Sequence, residues 1–164
     1  MLFLLESIGA CVFFTLMLRI VMAGRQTAFV NDYPPVVTEK LRQMNLIAQK
    51  PPARRKDILR KIIAVIVYAV AFALLLRYVN RIESFLTAMI TAYGLWLVVA
   101  WYDFLVVDVL LAPFDKFYKA SGVSAFEPSA VRFHFKASLR GTIIGLGFSP
   151  VVGLLVALLC SRNP

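Results

Sequence analysis

The chain has little of what soluble enzymes use for chemistry: among 164 residues there are two cysteines, one histidine and nine Asp or Glu. Cys11 lies in the first apolar block and Cys160 at the end of the last, so they make neither a disulfide framework nor a metal knuckle and read as small apolar residues. No HExxH, Walker loop, dinucleotide fingerprint, nucleophile elbow or CxxC occurs. Nor is there an internal repeat or low-complexity tract. No secretory signal is expected either. "MLFLLESIGACVFFTLMLRIVMAG" has no basic n-region, carries Glu6 early, and has an apolar run longer than a signal h-region. "IGAC" resembles a lipoprotein cleavage box only faintly, because no Lys or Arg precedes Cys11. The segment is expected to be a membrane anchor.

Apolar residues fill the space that charge leaves. They make up 60% of the chain and give a mean hydropathy of +0.78, against about 45 to 50% apolar in soluble domains. They fall in four blocks, Leu2 to Met22, Ile62 to Val79, Phe85 to Phe114 and Thr142 to Cys160. A hydrocarbon layer of roughly 30 Å demands about 20 residues per helix, so each block is near spanning length. The expectation is an all-α integral membrane protein: a single domain, 1–164, of four transmembrane helices. The third block would be about 45 Å long if wholly helical, so it tilts, protrudes or breaks near Asp103.

The net charge is +9, from 18 Lys and Arg. Nine of these lie between Arg25 and Lys61 and five between Lys116 and Arg140, against three (Arg77, Arg81 and Arg162) on the opposite side. The positive-inside bias then makes loops 24–61 and 115–140 cytoplasmic and leaves both termini outside, as expected in a bacterial inner membrane. Arg54, Arg55, Lys56, Arg60 and Lys61 lead into the second helix and are expected to contact anionic headgroups. No recognition motif accompanies the charge, which argues against nucleic acid.

The short "NRIES" connection makes the second and third helices an antiparallel hairpin, with Arg77 able to reach Glu83. In the first basic loop "NDYPP" is a turn, and "TEKLRQMNLIAQ" reads as a short helix capped by Thr38, with Leu41, Met44, Leu46 and Ile47 on its apolar face. Gly141 and Gly145 form a small-xxx-small pair for close helix approach, and Pro150 favours a kink.

The chemistry has one place to occur. "WYDFLVVDVLLAPFD" puts Asp103 and Asp108 in or beside the membrane, where an unpaired carboxylate costs several kcal/mol. On an α-helix their spacing rotates them about 140° apart. Alternatively Trp101 and Tyr102 form an interfacial belt, about 27 Å along the helix from Phe85, and Asp103 lies at the headgroups. From the same side "FEPSAVRFHFKASLRG" brings Glu127, Arg132, His134, Lys136 and Arg140. Arg132 and Lys136 share a helix edge from which His134 points away. Three assignments follow: ion pairing of the aspartates with Lys136 or Arg140, a proton or cation path through the carboxylates and His134, or a metal or catalytic site of Asp103, Asp108, Glu127 and His134.

"YDFLVVD", then "FHFKA" and a Gly-rich last helix, resembles a family of small four-helix bacterial membrane proteins with an aspartate pair late in the third helix and an FHxK segment before the fourth. Asp103, Asp108, Phe133, His134 and Lys136 match, and "DYPP" at Asp32 to Pro35 is similar. Where that family carries a Gly-Thr-Glu turn this chain has "SAFEPS". The resemblance implies architecture and candidate positions, with no activity attached.

The functional expectation is transport or ion handling: Asp103 and Asp108 as acceptors, His134 as the titrating group, and Arg132, Lys136 and Arg140 as counter-charges. A lipid-acting membrane enzyme, with or without a metal, and a non-catalytic accessory subunit are the alternatives. The expected partners are the anionic bilayer and a second copy or larger membrane protein; the sequence specifies no cofactor or metal.

Overall fold

In a medium without water every backbone donor and acceptor must be satisfied within the chain, so long apolar runs fold as helices. The computed structural model describes residues 2–22, 30–49 and 54–162, and these contain no strand. Helix α1 is Leu2–Met22, α2 is Pro35–Gln43, α3 is Arg54–Leu74, α4 is Phe85–Tyr102, α5 is Lys116–Ser121 and α6 is Pro128–Arg162. Four of them supply stretches long and apolar enough to cross a membrane: Phe3–Ile20, Ile62–Val79, Phe85–Leu110 and Pro128–Ser161. Their outward faces are apolar, with Leu4, Ile66, Ile90, Ile143 and Leu158 each more than half exposed. Such contiguous exposed surface is foreign to a water-soluble monomer.

The last span begins earlier than its apolar block. Pro128 opens α6, where a missing N–H and a preset φ cost nothing, and 35 residues carry it about 52 Å. That exceeds the roughly 30 Å thickness of a hydrocarbon layer, and the helix continues through Pro150.

Packing centres on α4 and α6, with α1 also against α4 and α3 against α6. The arms of the α3–α4 hairpin are thus bridged by α6. Small residues permit this: a methyl group at Gly145 would collide with the Trp96 indole, and Trp96 Nε1 donates to Gly141 O at 2.8 Å. Phe148 stacks on Trp96 at 4.4 Å and meets Phe72 of α3 at 5.8 Å. Beyond α3 a π-turn, Leu75–Val79, leads to the connection where Arg77 donates to Glu83 at 3.0 Å.

A second, smaller core lies at the end carrying the basic loops, where Val30, Val37, Leu41, Ile47, Ala112, Tyr118 and Ala125 cluster. Helix α2 packs on α5 here. It begins at Pro35, three residues before the expected cap, because proline at its first position needs no donor partner. Thr38 is consequently buried inside the helix and donates to Pro35 O at 3.0 Å. Asn45, at φ 57°, ends it in a Schellman-type turn with Leu46 N donating to Leu41 O. Of the four residues on the expected apolar face, Leu41 and Ile47 are buried whereas Met44 and Leu46 are exposed. Arg55 is exposed; the side chains of Arg54, Lys56, Arg60 and Lys61 lie outside the described residues.

Candidate functional site

At Asp103 the third membrane-length helix changes register. The α-helix ends at Tyr102 and Asp103–Leu110 form a π-helix, closed by Leu111 N donating to Val106 O at 2.8 Å. An i→i+5 turn is wider than an α-turn, which brings residues five apart closer to one side than an α-helix does, and Asp103 lies within electrostatic reach of Asp108. Asp103 and Asp108, which an α-helix would set far apart, therefore share one side. A 3₁₀ turn, Ala112–Phe114, then leads to Asp115, whose carboxylate caps α5 by accepting from Phe117 N (2.8 Å) and Tyr118 N (3.3 Å). Gly122, at φ 67°, ends α5 in the left-handed region that glycine enters freely.

This short path brings Tyr118 beneath α6. His134 is buried, one turn from Ala130 and one from Ser138, both also buried, so it lies on the packed stripe of α6. Its Nδ1 is 2.8 Å from Asp108 Oδ2 and its Nε2 is 3.0 Å from the Tyr118 hydroxyl. An ionised carboxylate only accepts, so toward a charged Asp108 Nδ1 is the donor, while the Tyr118 hydroxyl can either donate to Nε2 or accept from it. Phe133 stands edge-on to His134, and Trp101, Phe104 and Phe135 close a neighbouring aromatic cluster.

A second hydrogen bond ties the first basic loop to the same place: Tyr33 Oη donates to Asp115 Oδ2 at 3.0 Å, and its ring packs on Phe117 and Tyr118. Burial pushes the Tyr33 hydroxyl above its usual range, and the Asp115 carboxylate pushes it further. Tyr118 is likewise raised, by burial first and then by Asp108 and Asp115. Both stay neutral. Tyr118 also lines a surface pocket of about 350 Å³ with Pro113, Gly122, Ser124 and Phe126.

The remaining candidates divide. Asp103 is partly buried, lies within electrostatic reach of Asp108 and Asp32, and has no hydrogen bond or ion pair among the described residues. Arg132, Lys136 and Arg140 are exposed and, among the described residues, form no ion pair with either aspartate. The helical period that buries His134 turns them away, so the imidazole is Asp108's partner. Glu127 precedes α6, where its Oε1 accepts from Ser129, and it makes no contact with His134. Among the described residues no three His, Cys, Asp or Glu side chains converge to hold a metal.

Tyr33, Tyr118 and Asp115 belong to this site, although the sequence did not single them out. A signal existed in "DKFYK", an N-cap with a tyrosine three residues on, but nothing local showed that its ring would meet His134. Compared with known proteins, the chain matches no family model, no curated protein and no solved structure.

Proposed function

We propose that this chain is a small multi-pass membrane protein that handles protons through Tyr118, His134, Asp108 and Asp103. The observation that carries this reading is the imidazole held at both nitrogens, by Asp108 and by Tyr118. A proton arriving on Nε2 converts the ring to imidazolium, which then donates at both ends, to the Tyr118 oxygen and the Asp108 carboxylate. Release through Nδ1 passes it to Asp108, beside which Asp103 stands as the next acceptor. No electrons move, and the exposed cations stay out of the path. On the distribution of Lys and Arg the site faces the cytoplasm of a bacterial cell, with both termini outside.

The test is the full chain reconstituted in liposomes, with a potassium gradient and valinomycin setting the potential and an internal dye reading pH. Wild-type vesicles should acidify or alkalinise with the sign of the potential. His134→Gln should slow this by about a hundredfold, the scale of a lost proton-transfer group. Equal rates in both would overturn the reading.

A further inference from the structure

Glu6 is the buried acid that the site above does not use. It is 8% exposed, on the inner face of α1, and its Oε1 has no hydrogen-bond partner among the described residues. By sequence it belongs near one end of the first span. Packing puts it elsewhere. The Phe3 ring lies against Gly94, where a Cβ would come within 3.2 Å of Phe3 Cζ, and Gly94 is well inside α4, which starts at Phe85. Thr15 Oγ1 lies 2.9 Å from the Tyr102 hydroxyl. The two helices run the same way, and these contacts offset α1 from α4 by about 12 Å and about 6 Å toward the basic end, which sets Glu6 between the levels of Tyr93 and Leu97, inside the bundle.

Among the described residues, the groups facing this stretch offer no countercharge. Phe13 and Phe14 pack on Tyr68 of the antiparallel α3, at 5.4 and 6.3 Å, so Glu6 falls opposite the π-turn that begins at Leu75. Arg77 in that turn is engaged by Glu83. Ser7 donates to Phe3 O in its own helix, α4 brings Tyr102 and Asp103 lower down, and α6 turns Phe148, Ser149, Val152 and Val156 inward, none ionisable. A lone carboxyl among apolar side chains is satisfied most simply by a proton. Toward the basic end the same inner face carries Cys11, and beside it stands Tyr68, 5% exposed, whose hydroxyl is also unpartnered among the described residues and lies within electrostatic reach of Asp103.

We propose that Glu6 is a proton-binding carboxyl at mid-bundle, the inner station of a polar line that continues through Tyr68 and Asp103 to the Asp108–His134–Tyr118 chain. This rests on the proton-handling reading. Glu6 and Tyr68 are separated by about 10 Å along the helices, so transfer between them runs through water entering the bundle. Each step moves one proton to the next oxygen or nitrogen acceptor, and the donor is reprotonated from its other side, so that charge does not accumulate along the line.

Dicyclohexylcarbodiimide, which modifies protonated carboxyl groups in apolar surroundings, tests this on the full chain in liposomes, read by peptide mass. Glu6 should be labelled, and the label should vanish in Glu6→Gln. Proton flux in Glu6→Gln should fall by about a hundredfold and return in part in Glu6→Asp, with all three proteins eluting alike from a sizing column. An unlabelled Glu6 overturns the proposal. So does full flux in Glu6→Gln alongside lost flux in His134→Gln, a result that leaves the basic-end reading intact. Full flux in His134→Gln alongside lost flux in Glu6→Gln breaks that reading instead, and with it the line joining the two ends.

Discussion

Asp108 Oδ2 and His134 Nδ1 meet at 2.8 Å, joining the π-helical end of the third span to the first turns of the fourth. The imidazole is almost enclosed, with its side chain 6% exposed, while the carboxylate retains 25%. The pair is therefore a clasp between two helices that solvent reaches from the carboxylate side only.

Breaking the clasp from one side leaves a buried donor or acceptor unmatched. Asp108→Asn and His134→Ala should each destabilise the protein in detergent by about 1–3 kcal/mol. The double variant should cost less than their sum if the two side chains act on one another. Thermal unfolding of the four proteins measures this; strict additivity would show that the contact carries no coupling energy.

Asp103→Asn should behave differently. The carboxylate has no hydrogen bond or ion pair among the described residues, so stability should change by less than about 0.5 kcal/mol while proton flux falls. Unfolding and flux measured on one preparation separate the two effects. A large loss of stability would mean that Asp103 has a structural role.

Tyr118→Phe removes one hydroxyl from a buried chain. It should cost about 0.5–1.5 kcal/mol and change the ¹⁵N shift of His134 Nε2, which loses its hydroxyl partner while Nδ1 keeps Asp108. An unchanged Nε2 resonance would contradict the observed geometry.

Alkaline pH should weaken the basic end. Tyr33 and Tyr118 both ionise at higher pH in the folded chain than at the ordinary value of 10.0. Their contribution to stability is thus fully present below pH 10.0 and is lost as pH rises toward the folded values. Wild type should lose stability more steeply above that point than Tyr33→Phe; parallel curves would show that Tyr33 does not contribute.

Gly145→Leu should separate α4 from α6, because its side chain would occupy the space of the Trp96 indole. Overpacking of this kind costs about 1–3 kcal/mol. Trp96→Ala in the same chain should recover part of the loss, as judged by the unfolding midpoint.

The four apolar runs, their approximate lengths and the bias of Lys and Arg were legible from the chain alone, because length, hydropathy and charge are local quantities that a bilayer constrains directly. The candidate positions Asp103, Asp108 and His134 were legible too, since acids and a lone imidazole stand out in apolar sequence. Tertiary structure decided what those positions face. A π-turn at Asp103 put two aspartates on one side where an α-helix would not, and the small residues of α6 drew it against α4 so that His134, rather than Lys136 or Arg140, reached Asp108. The depth of Glu6 was decided in the same way, by how far α1 slides along α4. Register between helices depends on which side chains interdigitate across a distance in sequence, and no local pattern contains that.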